Sequence, residues 1–306
     1  MSGSAHPLLS GPVLPTLIKL SIPNIIALTT QSLVVIAETS YIGLIGTEAL
    51  AAMALVFPMI MLTQMMSSGA MGGGVSSAIA RSLGAGNVAR AETLAVHAVA
   101  ISICGGLLFM ALFLTLGPWL LHVLGGRGRV LEEAMSYSRT FFFGVLAIWL
   151  FNTLVSVVRG TGNMRLSAST TIAIALLQIA LGGSLSLGLG PFPKLGIQGV
   201  ALGQVLAFSA GVAFLVWLLT SQNARVRLSP TGKSLDGEMF RDILKVGAVA
   251  CLSPLQSVLT VLIMSGLVAR LGTEALAGYR VIGLAWRKSS ARGSSFCWCR
   301  SPSPSA

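Results

Sequence analysis

The sequence predicts an all-α protein, a polytopic membrane helical bundle, and three observations carry that expectation. Of its 306 residues, 54% are hydrophobic and only 9% are charged, against roughly 25% charged in soluble domains. Apolar stretches of about 20 residues, each enough to cross a hydrocarbon core about 30 Å thick, recur along the chain. The ten-residue alternating strands that mark a membrane barrel do not occur.

The elements follow in order. The opening MSGSAHPLLSGPVLP is short, polar and proline-rich with no cleavable signal pattern, so the first helix is expected to stay in the protein. Seven complete spans are read at roughly 16–40, 49–78, 93–117, 136–158, 168–189, 198–220 and 243–269. An eighth begins near Ala275 and fails. The breaks carry turn residues: Gly84-Ala85-Gly86-Asn87, Gly125-Gly126, Gly160-Thr161-Gly162-Asn163 and Pro191-Phe192-Pro193.

Loop charge gives an orientation. On one side lie Lys19, Arg81, Arg90, Arg159, Arg165, Arg225, Arg227, Lys233, Arg241 and Lys245; on the other, Arg127, Arg129, Arg139, Lys194 and Arg270. Ten against five places the N-terminus in the cytoplasm. The net charge of +11 is thereby explained by topology, and no basic face with interleaved aromatics points to nucleic acid. Cys104 and Cys251 lie in apolar helices and Cys297 and Cys299 in the tail, so no disulfide framework is expected.

An internal repeat divides the chain. GTEALA occurs at 46–51 and again at 272–277, an offset of 226 that also places Lys19 on Lys245, Leu33 on Leu259 and Val35 on Val261. Six spans separate the copies, so both point the same way through the membrane, as in a parallel repeat of a six-helix unit. The predicted organisation is a cytoplasmic segment 1–15, a first six-helix lobe 16–220, a cytoplasmic connector 221–242 and the start of a second lobe 243–280. Beyond about 280, LAWRKSSARGSSFCWCRSPSPSA abandons the apolar pattern, and 281–306 reads as an aberrant tail from a truncation or frame shift.

Few residues could carry chemistry. Glu38 alone among nine acidic residues follows more than a full turn of apolar sequence and precedes more of it, at Tyr41-Ile42-Gly43-Leu44-Ile45. A charge costs about 2.5–3.5 kcal/mol at a helix centre on insertion scales, and such residues usually face a cavity, bind an ion or relay a proton. A carboxylate reaching back to the interface is the bland alternative. Pro23, beside Asn24, interrupts the first helix as a hinge or as a static packed kink. Gln31, Asn152, Gln178 and Gln204 could line a cavity with Glu38, or bond between helices. Met59, Met61, Met65, Met66 and Met71 would suit an adaptable apolar cavity or ordinary filling. Gly72-Gly73-Gly74 suits close helix packing.

Two motifs are set aside. Thr231-Gly232-Lys233-Ser234 lacks the first glycine of a phosphate loop, since Arg227 stands there. Cys297-Trp298-Cys299 lacks further ligands at zinc spacing. His97 and His122 have no acidic partners nearby in sequence, and no HExxH or GxSxG is present. No enzyme, metal or organic cofactor is expected.

Several ordered segments resemble the multidrug and toxic compound extrusion (MATE) family. They are LIKLSIPNI around Pro23, AETSYIGLIGTEALAAMALVFP at 37–58, ARSLGAGNVARAE at 80–92, VRGTGNMRLSAS at 158–169, LGIQGVALGQVLA at 195–207 and GLVARLGTEALAGY at 266–279. The resemblance covers roughly 15–280 and implies twelve helices in two six-helix lobes that expel a small molecule in exchange for protons or sodium ions. This chain would then hold a MATE-like six-helix N-lobe and the first helix of the second lobe. The resemblance places Glu38 as the cation-coupling residue; the residues themselves offer Gln31, Asn24, Tyr41, Asn152, Gln178 and Gln204 as cavity-lining candidates and Pro23 as hinge. The chain departs from the family at Asn163, where an aspartate is usual, and at Ser167, where a proline often follows. It offers Gln178 without an acid on the fifth helix, Gln204 in place of a small hydroxyl on the sixth, and no acid between Asp242 and Glu274.

The expected function is cation-coupled (H+ or Na+) export of organic, cationic compounds by a monomer in a bacterial inner membrane, with the lipid bilayer and small molecules as partners. Two alternatives stay open: a non-transporting fragment, and a related lipid or polysaccharide flippase, although flippases usually carry more basic residues within the spans.

Overall fold

The computed structural model describes the backbone of residues 13–189, 193–221, 226–228 and 237–269, with side chains from residue 21 to 260 except at Asn24 and within the gaps. Among these residues the chain is helical and contains no strand. It divides into two compact units, Met1–Leu255 and Gln256–Ala306, and the described part of the second is the helical segment 256–269. The second GTEALA copy, the start of an eighth span and the 281–306 tail lie outside the described residues.

Helix α1 (Val13–Ile45) contains Pro23 and runs past both expected ends. Its polar positions suit an apolar setting, because Thr29, Thr30, Ser32, Thr39 and Ser40 each donate to the carbonyl four residues back. That bond satisfies the hydroxyl within its own helix. Leu28, Ile36 and Leu44 are more than half exposed, as lipid-facing side chains are. Gly46 at φ 154° then turns α1 directly into α2 (Thr47–Gln64). Few residues other than glycine adopt such a φ, which gives the first letter of GTEALA its role.

The second span is interrupted. After α2 comes a π-helical segment, Met65–Met71, and then α3 (Gly72–Gly84). The glycines that open α3 allow close packing: a Cβ on Gly72 would stand 2.5 Å from the Ser156 hydroxyl, and one on Gly74 would stand 2.9 Å from the Ile243 carbonyl. Helix α4 (Val88–Val123) starts with Asn87 accepting the Arg90 amide at 2.9 Å, an ordinary N-cap.

The fourth span, read from sequence as one helix over 136–158, is a bent pair. Helices α5 (Gly128–Phe143) and α6 (Val145–Gly160) meet at 48° across Gly144. A Cβ on Gly144 would fall 2.3 Å from both methyls of Val205. Only a glycine lets the neighbouring helix press in here, and the chain bends around that contact.

Helix α7 (Met164–Leu187) is capped by Asn163, which accepts the Leu166 amide at 3.1 Å, and ends at Gly188 in the left-handed conformation. Helix α8 (Ile197–Thr220) packs most extensively against it. Gly199 and Gly203, four residues apart, meet the α7 backbone: a Cβ on Gly203 would lie 2.5 Å from the Gly182 nitrogen and one on Gly199 2.5 Å from the Leu185 carbonyl. Small residues at this spacing let two membrane helices approach to backbone contact. Helix α9 (Gly237–Ala269) contains Pro254 and begins six residues ahead of the span expected from 243. Among the described residues six helices are long and apolar enough to cross a membrane, and the bent pair makes seven.

Candidate functional site

Three helices converge on Glu38. Besides α7 and α8, helix α1 packs broadly on α7. Gly183 lies under the Tyr41 ring, at 3.0 Å from where its Cβ would stand. The adjacent glycines Gly182 and Gly183 thus bring α7 against α8 and α1 at once. One turn before them stands Gln178, and one turn before Tyr41 stands Glu38.

The two side chains meet: Gln178 Nε2 donates to Glu38 Oε1 at 2.7 Å. Glu38 is 7% exposed and Gln178 2%, so the carboxylate is enclosed between helices instead of reaching for an interface. A buried carboxylate keeps its charge only with compensating partners, a bound cation, or a proton. Among the described residues, Gln178 is the one hydrogen-bond partner recorded for the Glu38 side chain.

A second pair adjoins it. The Tyr137 hydroxyl on α5 donates to Gln204 Oε1 on α8 at 3.4 Å. Tyr137 is fully buried and within electrostatic reach of Glu38. The Gly144–Val205 contact seats the Gln204 turn of α8 against α5 and α6. The result is a small polar island of one acid, two amides and one phenol inside an apolar bundle.

Asn152 belongs to a different cluster. Its Nδ2 donates to Gln64 Oε1 at 3.1 Å and to Ser67 Oγ at 2.8 Å, bracketing the start of the π-helical segment from α6. Such segments frequently mark functional positions in membrane and soluble helices alike. Ser68 donates to the Gln64 carbonyl at 2.6 Å, and Ser156 to the Asn152 carbonyl at 2.7 Å.

The remaining candidates stand apart. Gln31 is half-buried, two turns along α1 from Glu38 on the same face, with no hydrogen bond to either cluster among the described residues. Pro23 is half-buried within α1, and the Asn24 side chain lies outside the described residues. Tyr137, Gln64 and Ser67 complete the two clusters without having been singled out from sequence. No group of three or more His, Cys, Asp or Glu side chains suited to a metal ion occurs among the described residues.

Residues 23–182 match the MatE family. The chain is 28% identical over 218 residues to an FAD transporter of Shewanella oneidensis, covering 70% of this chain and 47% of that one. It is 25% identical to the probable multidrug resistance protein YoeA of Bacillus subtilis, covering 78% and 52%. It is also 25% identical to the probable multidrug resistance protein NorM of Thermotoga maritima, covering 87% and 57%. The chain thus spans about half the length of the curated relatives it matches. Among solved structures it superimposes at TM-score 0.83 and 27% identity on a MOP-superfamily transporter from Pyrococcus furiosus, covering 95% of this chain and 63% of that one. The same figures hold for an outward-facing multidrug resistance transporter of the MATE family.

Proposed function

The chain belongs to the MatE family of membrane transporters, and from that premise we propose that it works in cation-coupled export of organic cations, with Glu38 as the coupling residue. The observation that carries this reading is the burial of Glu38 against Gln178 between α1 and α7. The seven spans form the first lobe and the first helix of the second. The membrane is a bacterial inner membrane, and the excess of basic residues in one set of loops supports an N-terminus that faces the cytoplasm.

The coupling follows from electrostatics. A bare carboxylate between helices is costly, so a proton or Na+ entering at Glu38 stabilises the arrangement that encloses it. Loss of that cation favours an arrangement in which Glu38 meets water or a cationic cargo. The two lobes rock between those arrangements around a midplane site, and cargo and cation alternate because one negative charge cannot serve both. Gln178 holds Glu38 in register. Gln31, Tyr41 and Asn152 line the cargo path, and Pro23 lets α1 flex. The protein acts as a monomer, without an organic cofactor and without covalent change to its cargo.

Exchanging Glu38 for Gln tests the reading, since the amide keeps the size and the hydrogen bond but removes the charge. Gradient-driven efflux is abolished in that variant, and binding of a cationic cargo is weakened with it.

One relative named for FAD transport motivates a second reading, an anionic flavin cargo. The scarcity of basic residues within the spans opposes it. Competition of a fluorescent cation by excess FAD separates the two: a cation site leaves the signal unchanged.

A further inference from the structure

The first turns of α9 are held to the first lobe by contacts of four kinds. Arg90 Nη2, at the start of α4, donates to Asp242 Oδ2 at 2.6 Å and lies 3.7 Å from Glu238 Oε1. Beneath this pair, the buried His97 ring meets Phe240 edge-on with centroids 4.7 Å apart. Ile243 is fully buried. Deeper still, Gly74 of α3 and Gly247 of α9 come to backbone contact: a Cβ on Gly74 would lie 3.0 Å from the Gly247 nitrogen, and one on Gly247 2.9 Å from Met71 Sδ.

The contact is asymmetric in strength along its length. The glycine contact and the buried Ile243 form a narrow apolar contact that gains from packing alone. The Arg90–Asp242 pair caps the seam where both side chains are more than a third exposed. An ion pair at that exposure adds little energy, is weakened by salt, and can be made and broken readily. A weak cap over so narrow a contact is a latch.

We propose that Arg90 and Asp242 latch the start of α9 onto α3 and α4, closing the cytoplasmic side of the protein, and that releasing the pair is a step in opening that side. The proposal rests on the two-lobe reading above, in which α9 begins the second lobe while α3 and α4 belong to the first.

Cys251 is a native probe, one turn beyond Gly247 on α9 and packed against the core. In a background with Cys104, Cys297 and Cys299 changed to Ser, everted vesicles expose the cytoplasmic side to a membrane-impermeant maleimide. Labelling of Cys251 is then timed. Arg90→Glu and Asp242→Lys are each expected to speed labelling about three- to fivefold, the range open to a pair of this exposure. The exchanged pair Arg90→Glu with Asp242→Lys returns the rate toward that of the parent, which also shows that both substitutions are compatible with the fold. Raising the salt speeds labelling of the parent without any substitution. Equal rates in the parent and both single variants, or an exchanged pair that labels as fast as the singles, overturn the latch. The assay needs neither cargo nor gradient. A protein that labels as expected yet exports nothing keeps the latch and loses the exporter reading; one that exports normally with labelling indifferent to Arg90 does the reverse.

Discussion

Gln178 and Glu38, 140 residues apart in sequence, are joined by a hydrogen bond of 2.7 Å between α7 and α1, and both are buried. The bond sits one helical turn from the glycines that bring α7 against its neighbours, so packing and polar chemistry are set by the same stretch of α7.

Removing one partner should therefore cost more than removing both. Gln178→Leu leaves a buried carboxylate short of its donor, a loss of about 1–3 kcal/mol, whereas replacing both groups by apolar ones can be nearly neutral. Thermal unfolding in detergent is expected to show a lowered midpoint for Gln178→Leu. The double variant Glu38→Leu with Gln178→Leu should unfold closer to the parent. Equal midpoints for the parent and the single variant would show that the bond contributes nothing.

The α7–α8 seam makes a sharper packing prediction. Gly203→Val places atoms where the Gly182 backbone already is, 2.5 Å from the new Cβ, and overpacking of this kind costs about 1–3 kcal/mol or more. Gly73→Ala meets nothing within 4 Å and replaces a helix-interior glycine, for a gain of roughly 0.5–1 kcal/mol. Midpoints that move in opposite directions are expected, and a neutral Gly203→Val would contradict the described contact.

The π-helical segment should depend on Asn152. Its two side-chain bonds, to Gln64 and Ser67, are worth about 1 kcal/mol each net, so Asn152→Ala should raise amide hydrogen exchange over Met65–Met71 roughly thirtyfold. Ser76→Ala, which removes an exposed hydroxyl bonded only to the Gly73 carbonyl of its own helix, should leave that segment unchanged. Equal exchange in the two variants would detach Asn152 from the segment's stability.

Much of this architecture is legible in the sequence, for a physical reason. A span must satisfy its own backbone in lipid, so each helix announces itself locally as an apolar run. The glycines of GTEALA and of LGIQGVALGQ likewise show in sequence, and the structure gives them work, as the α1–α2 turn at Gly46 and the α7–α8 seam at Gly199 and Gly203. What the sequence hides is non-local. Tyr137 sits among Ser136, Ser138 and Arg139, where a tyrosine looks like an interfacial anchor, yet it is fully buried beside Gln204. Gln64 and Ser67 look like breaks in a methionine-rich span, and only α6 packing beside them reveals Asn152 as their partner. The bend at Gly144 is invisible because the side chain packed against that glycine is a valine 61 positions away.

The central claim, that the charge of Glu38 couples cation movement to export, is tested most directly by efflux of a fluorescent organic cation in everted vesicles from the native cells. Parent and Glu38→Gln are compared under a proton gradient and, separately, a sodium gradient. The account predicts dye accumulation by the parent under one of the two gradients, and none by Glu38→Gln under either. Accumulation by Glu38→Gln at the parent rate, or a parent indifferent to both gradients, would contradict it.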